Sequence, residues 1–244
     1  MKISFIGHGT MAKAMITGIL KSGLISKNDV FASDSDEENQ KAVDFGDYIF
    51  LTIKPNLFSH VIPKLIRTEK KVFITVSPGI KTTFMDAKVV RTMPNTPALV
   101  GAGVTAVCRG KGVTDSEFDN VKKILSTFSD VYEFDESQME FIIALSGSSP
   151  AYAYMFIEAM VDYSVKCGID YTTAKEMAAK TLLGAAKMVL ASEESPAELR
   201  DKVCTKGGTT IRAVEKLREL GFVTAITQAM GACTARAVEM SRKI

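Results

Sequence analysis

The sequence predicts an α/β protein in two parts: a parallel sheet wrapped by helices, followed by a purely helical remainder. Short β-type runs alternate with helical stretches up to about residue 134, the pattern of a parallel sheet. From Glu136 to Ile244 there is no strand signal, only helical periodicity and caps. The third observation is a glycine turn at the first strand-to-helix junction.

Lys2 to Ile6 is a short β-type run that stops at Gly7-His8-Gly9. From Thr10 the pattern becomes helical, with Met11, Ala14, Met15, Gly18 and Ile19 on one face. Strand, turn and helix in that order give weight to the GxGxxA pattern Gly7-His8-Gly9-Thr10-Met11-Ala12. The first glycine permits a tight turn and the second lets backbone amides approach a pyrophosphate. Ala12 keeps helix and strand close, and the helix N-terminus adds partial positive charge. A plain tight turn is the bland alternative. His8 stands between the glycines, an ordinary surface position, and His60 lies on a helical stretch; neither is assigned a catalytic role.

Val30 to Ala32 is a second strand, running into Ser33-Asp34-Ser35-Asp36-Glu37-Glu38. An acid at this strand end bonds the hydroxyls of an adenosine ribose, and Ser33 or Asp34 is placed for that. The same acids also suit the solvated first turn of a helix. Carboxylates repel a 2′-phosphate, and no Arg lies between residues 31 and 40, so the residues lean to NADH over NADPH.

Tyr48 to Ile53 and Val72 to Val76 are further strands, ended by Lys54-Pro55 and by Ser77-Pro78-Gly79. Leu57 to Ile66 between them is helical apart from Pro63. Val89-Val90 leads into Arg91 to Pro97, read as a rigid loop because two prolines three apart exclude a helix. Gly103 to Cys108 is strand-like, Thr114 to Glu117 is a capping box opening a helix to about Phe128, and Val131 to Phe134 is the last strand. Ser149-Pro150 then caps a long helix through Cys167, ended by Gly168. Thr172 or Thr173 starts another to about Ala191, and Phe222 begins the last. Between them Ser195, Pro196 and Glu198 open a short helix that cannot pass Gly207-Gly208, and Thr209 and Thr210 stand at the next start. Read blandly, this is a helix-turn-helix corner with glycines for sharpness; read functionally, hydroxyls and unsatisfied amides meet in a small polar pocket.

Composition narrows the class. Thirty basic against 28 acidic side chains give a net charge of +2, and no basic run exceeds two residues in the body of the chain, so no nucleic-acid or polybasic membrane partner is expected. The four cysteines form no CxxC and have no histidine cluster, which argues against a metal site and a disulfide scaffold. No apolar run approaches the roughly 18 residues of a membrane span, so a cytoplasmic protein is expected. Helices 151–161, 177–190 and 223–238 are apolar beyond one face and call for a second subunit, hence a dimer.

GHGTMA, TIKP (52–55), SPG (77–79), MPNTP (93–97), SGSSPAYAY (146–154) and LRDKVCTKGGTTIRAV (199–214) come in that order. Together they resemble the pyrroline-5-carboxylate reductase family across almost the whole chain. The resemblance implies a Rossmann-type dinucleotide-binding domain, 1–145, followed by an all-α substrate-binding and dimerisation domain, 146–244. It also implies reduction of (S)-1-pyrroline-5-carboxylate to L-proline with NADPH or NADH, by a homodimer or a larger assembly of dimers. The first motif, Ile6, Gly7, His8, Gly9, Thr10 and Met11, would cradle pyrophosphate. Thr52, Ile53, Lys54, Pro55, Ser77, Pro78 and Gly79 would line the cofactor, with Asn95 and Thr96 near the nicotinamide. Thr210 would hydrogen-bond the ring nitrogen of the substrate. Val203, Cys204, Thr205, Gly207, Gly208 and Thr209 would hold its carboxylate. No metal is implied. A reductase of a related cyclic imine and an inactive regulatory relative are the alternatives; intact GGTT and SPAYAY runs argue against the second. Three departures stand out: a short stretch between Asp34 and Asp47, Lys206 before the glycine pair, and Cys204 at a Thr/Ser position.

Overall fold

The computed structural model describes residues 1–67 and 69–242, which form two compact units, Met1–Pro150 with Gly231–Ile244, and Ala151–Met230. The first unit is built on a seven-stranded sheet in the order β2-β1-β3-β4-β5-β6-β7. Its strands are β1 (Ile3–Ile6), β2 (Val30–Ser33), β3 (Tyr48–Leu51), β4 (Val72–Thr75), β5 (Lys88–Met93), β6 (Gly103–Arg109) and β7 (Ser129–Glu133). Alternate residues of each strand feed two apolar layers. Ile3, Phe5, Phe50 and Ile74 pack with α1 (Thr10–Ser22) and α4 (Asp115–Leu125) on one face. Ile6, Ile49, Leu51 and Phe73 pack with α2 (Asp36–Phe45) and α3 (Phe58–Val61) on the other. Burial on both faces is why these strands read as continuous apolar runs.

The sheet differs from the sequence expectation at β5 and β6. Arg91, Thr92 and Met93 belong to β5, not to a loop, and β5 pairs antiparallel with β6, breaking the wholly parallel sheet. Only residues 94–102 separate the two strands, too short for a parallel crossover. Pro97 does not exclude a helix there: it sits in the first turn of the 3₁₀ segment Thr96–Val100, where its missing N–H costs nothing. The expected helix 57–66 is broken into α3 with 3₁₀ turns on each side, the second holding Pro63. Helix α4 has its Thr114–Glu117 capping box but ends at Leu125.

Between β2 and β3 the chain makes a single helix, α2, so β2 is the sheet edge and the chain returns from it straight across β1. The short stretch noted from the sequence is thus closed by one helix with no strand beyond β2.

After β7 come α5 (Met139–Ile142), a π-helical turn at Ile143–Gly147 and α6 (Ser149–Lys166). Helix α6 opens at Ser149-Pro150 as expected, with Pro150 in its first turn, and the Ser149 hydroxyl donates back to Ala144 O at 2.9 Å. The second unit holds most of α6, then α7 (Tyr171–Ala191), α8 (Pro196–Val203), α9 (Thr209–Glu219) and the first half of α10 (Phe222–Ser241). Asp170, rather than Thr172 or Thr173, caps α7, its carboxylate accepting from Thr173 N at 3.0 Å. Apolar side chains stay open to solvent along α6 and α7: Tyr154, Met155, Tyr163, Met177, Leu183 and Leu190. Among the described residues no helix is long and apolar enough to cross a membrane.

Candidate active site

The expected nucleotide residues of the first unit come together at the carboxyl ends of the adjacent parallel strands. Gly7–Thr10 follow β1, Asp34 follows β2, Thr52–Pro55 follow β3 and Ser77–Gly79 follow β4. Strand order reverses between β1 and β3, and the crevice at such a switch point is where α/β sheets take ligands. Gly7 has φ +94°, and a Cβ on it would stand 3.0 Å from Thr52 O, so only glycine fits. Its carbonyl accepts from Thr52 Oγ1 at 2.6 Å, which locks the turn. A methyl at Gly9 meets no atom of the chain within 4 Å, so packing does not demand glycine there. The space there is open to a group approaching the backbone. Gly9 also caps α1 with no side-chain hydrogen bond, leaving the first-turn amides of a 13-residue helix for an anion. The residues present therefore fit a dinucleotide.

At the end of β2 the two ribose candidates separate. Ser33 is fully buried, its hydroxyl donating to Asn39 Oδ1 at 2.7 Å, whereas Asp34 is exposed. His8 Nδ1 lies 3.4 Å from Asp34 Oδ2, tying the glycine turn to the strand end. Two residues on, Asp36 Oδ2 lies 2.8 Å from both His60 Nε2 and Lys64 Nζ. Hydrogen bonds from Lys64 and then His60 hold the Asp36 carboxyl below its ordinary range. Neither partner was visible near this strand end from the sequence, because they lie 24 and 28 residues further along.

Ser77 Oγ donates to Ile53 O at 2.7 Å, joining the loops after β3 and β4. Thr96 is exposed, and Asn95 is 7% exposed with both ends of its amide engaged. Asn95 Oδ1 accepts from Val104 N at 2.9 Å, and its Nδ2 donates to Ser146 O at 3.1 Å. Pro150 explains the second bond: a helical proline lacks the N–H that would serve the carbonyl four residues back, which is Ser146. The π turn is the backbone's accommodation of that proline, with Ser148 N donating to Ile143 O at 2.8 Å.

Beneath the sheet's far half lies an ion cluster that the sequence did not suggest. The Arg91 side chain is 2% exposed; its NH1 lies 2.7 Å from Glu136 Oε1 and its NH2 3.2 Å from Glu140 Oε1. Glu136 Oε2 also accepts from Thr82 N and Thr82 Oγ1. Burial pushes the Glu136 carboxyl up, but the hydrogen bonds from Thr82 and Arg91 outweigh it and hold the group below its ordinary value.

In the second unit the turn between α8 and α9 presents the expected substrate residues. Ser195 and Glu198 form the capping box of α8, which ends at Val203. Gly207 has φ +74°, and a Cβ on Gly208 would stand 2.5 Å from Thr205 Oγ1. Gly207 is required by its positive φ, whereas at Gly208 the Thr205 hydroxyl and carbonyl stand close enough to favour a residue without a side chain. Gly208 caps α9 without a side-chain bond, so the amides after it and the exposed hydroxyls of Thr209 and Thr210 lie together. Val203, Thr205 and Lys206 are exposed, and Cys204 is half-buried at the C-cap of α8.

Relatives with this organisation are known. A family model described as pyrroline-5-carboxylate reductase dimerisation matches residues 136–240, and one described as NADP oxidoreductase, coenzyme F420-dependent, matches residues 2–79. The pyrroline-5-carboxylate reductase of Escherichia coli is 36% identical over 265 residues, covering 99% of this chain and 98% of its own. The chain belongs to the pyrroline-5-carboxylate reductase family. A frog member of this family, pyrroline-5-carboxylate reductase 3 of Xenopus laevis, is 33% identical and covers 100% of this chain and 97% of its own. A crystal structure of the Plasmodium falciparum pyrroline carboxylate reductase with NADP bound matches at a TM-score of 0.91, with 28% identity and 98% of each chain covered. The Streptococcus pyogenes family member matches at 0.87, with 30% identity, 97% of this chain and 98% of its own. The reductase family thus accounts for the α/β unit, the helical segment and a nicotinamide cofactor. The E. coli alignment is longer than the 244 residues of this chain, so that relative carries residues this one lacks.

Proposed function

We propose that this chain reduces (S)-1-pyrroline-5-carboxylate to L-proline, as a cytoplasmic homodimer or an assembly of dimers, with residues 1–145 holding the cofactor and 146–244 the substrate. The single observation that carries the substrate side is the α8–α9 turn, where Gly207 takes a positive φ and Gly208 leaves the amides of a helix start uncapped beside two exposed threonine hydroxyls. When bound, a reduced nicotinamide supplies the hydride for the C=N carbon. In this reading the chain's own residues position and polarise. Thr210 holds the ring nitrogen, and Thr209 with the backbone from Val203 to Gly208 holds the carboxylate. Gly7 to Met11 receive the pyrophosphate and Asp34 the ribose. Thr52 to Pro55, Ser77 to Gly79, Asn95 and Thr96 frame the rest of the dinucleotide. A cyclic imine already protonated in part needs no strong acid, which suits a substrate turn whose polar groups are hydroxyls and amides.

The test is steady-state kinetics on racemic pyrroline-5-carboxylate with NADPH and with NADH. Turnover to proline supports the reading. Tight dinucleotide binding without turnover of this imine or its six-membered homologue overturns it in favour of a regulatory relative. For the ribose contact, Asp34→Ser is expected to raise the NADPH:NADH ratio of kcat/KM by roughly two- to fivefold, the range of an exposed charge interaction. An unmoved ratio removes Asp34 from the ribose.

A further inference from the structure

We propose that Lys64 and His60 form a subsite for a phosphate monoester at the adenosine end of the nucleotide groove, and so set how well this chain accepts a 2′-phosphorylated dinucleotide. The proposal rests on the dinucleotide reading of the Gly7–Gly9 turn and says which side chains decide between the two dinucleotides.

The glycine turn and the end of β2 are in contact, His8 Nδ1 lying 3.4 Å from Asp34 Oδ2. Asp36 stands two residues further, at the first turn of α2. Two nitrogens from the segment after β3 converge on its Oδ2: His60 Nε2 and Lys64 Nζ, each at 2.8 Å and 2.6 Å from one another. All three side chains remain about half exposed, so the convergence is not a buried structural pair but an open cluster at the first turn of α2, two residues past Asp34. Ser35, between Asp34 and Asp36 in sequence, caps α2 without a side-chain cap bond.

The charges decide what such a cluster takes. A phosphate monoester carries nearly two negative charges and three acceptor oxygens, whereas Asp36 offers one charge and two. Lys64 therefore exchanges a carboxylate for a stronger acceptor when a 2′-phosphate arrives beside Asp34. Glu37 and Glu38, the next acids on α2, oppose this, as does Asp34 itself. Without Lys64 the strand end would repel a 2′-phosphate, as its local sequence suggests. With it the chain accepts NADPH as well as NADH. The closing of α2 directly onto β3 puts α2 and α3 side by side in one apolar layer, and that packing brings a cation from residue 64 to a strand end at residue 33.

The test uses the full chain and no turnover. Binding of 2′,5′-ADP and of 5′-AMP is measured by calorimetry for the unaltered protein and for Lys64→Gln, His60→Gln and Lys64→Arg. Lys64→Gln is expected to weaken 2′,5′-ADP about tenfold while changing 5′-AMP less than twofold, the scale of one charge-assisted hydrogen bond. His60→Gln weakens it less, and Lys64→Arg restores it. A parallel rise in KM for NADPH supports the same assignment. Unchanged 2′,5′-ADP binding, or equal loss of both ligands, overturns the proposal while leaving the dinucleotide reading intact. Failure of the unaltered protein to bind either ligand overturns that reading and the proposal together.

Discussion

Thr210→Ala is expected to lower kcat/KM for pyrroline-5-carboxylate by about a hundredfold, the usual cost of removing one hydrogen bond aimed at the developing charge of a transition state. The substitution isolates that bond. Thr210 is exposed in the first turn of α9, so no core contact is lost, and alanine is the better helix former. Dinucleotide binding and the thermal midpoint therefore stay where they were, while Thr210→Ser keeps a hydroxyl and recovers most of the rate. The split between constants is also diagnostic. A bond made chiefly in the transition state lowers kcat as well as kcat/KM, whereas a ground-state contact raises KM alone. An unchanged kcat/KM assigns the ring nitrogen to another donor.

Arg91→Met is expected to destabilise the first unit by about 3–5 kcal/mol, read as a fall in the urea midpoint at constant slope. Arg91 is a fully buried guanidinium on β5, and its removal leaves Glu136 and the 8%-exposed Glu140 without the cation they share. The pH dependence follows from Glu136. Its folded carboxyl titrates below the ordinary glutamate value of 4.5, so its contribution is complete above that pH and is lost as pH falls through the folded value. Stability of the unaltered protein should drop steeply on acidification below about pH 4.5, and Glu136→Gln should flatten that limb. A loss under 1 kcal/mol for Arg91→Met would mean that the cluster breaks even against apolar packing.

Local signals in the sequence were strong wherever a residue acts on its own neighbourhood. Gly7, the Thr114–Glu117 and Ser195–Glu198 boxes and the Gly207-Gly208 break all do this, and each stands in the structure where the pattern put it. What the sequence concealed was non-local. Arg91 to Met93 look like the start of a proline loop, but pairing with β6 makes them strand. Asp170 outcompetes Thr172 and Thr173 as a cap because its carboxylate reaches Thr173 N, a choice among adjacent polar residues that composition cannot make. Ser149-Pro150 reads as a helix start, and α6 does begin there, but the Asn95 amide that serves Ser146 O comes from far along the chain. The partners of Asp36, His60 in α3 and Lys64 in the 3₁₀ turn after it, arrive from another segment altogether. The motif-bearing turns were thus legible, while the charges that tune them were not.

Because β2 is the outermost strand and pairs only with β1, its backbone is held by a single ladder. Such a strand opens at a lower free energy than the strands within the sheet. A ligand that grips Asp34 binds the closed form alone, and so stabilises this margin by mass action. Under the proposed ribose contact the dinucleotide would act as a strut as well as a hydride source, and amide exchange along Val30–Ser33 is expected to slow as its concentration rises.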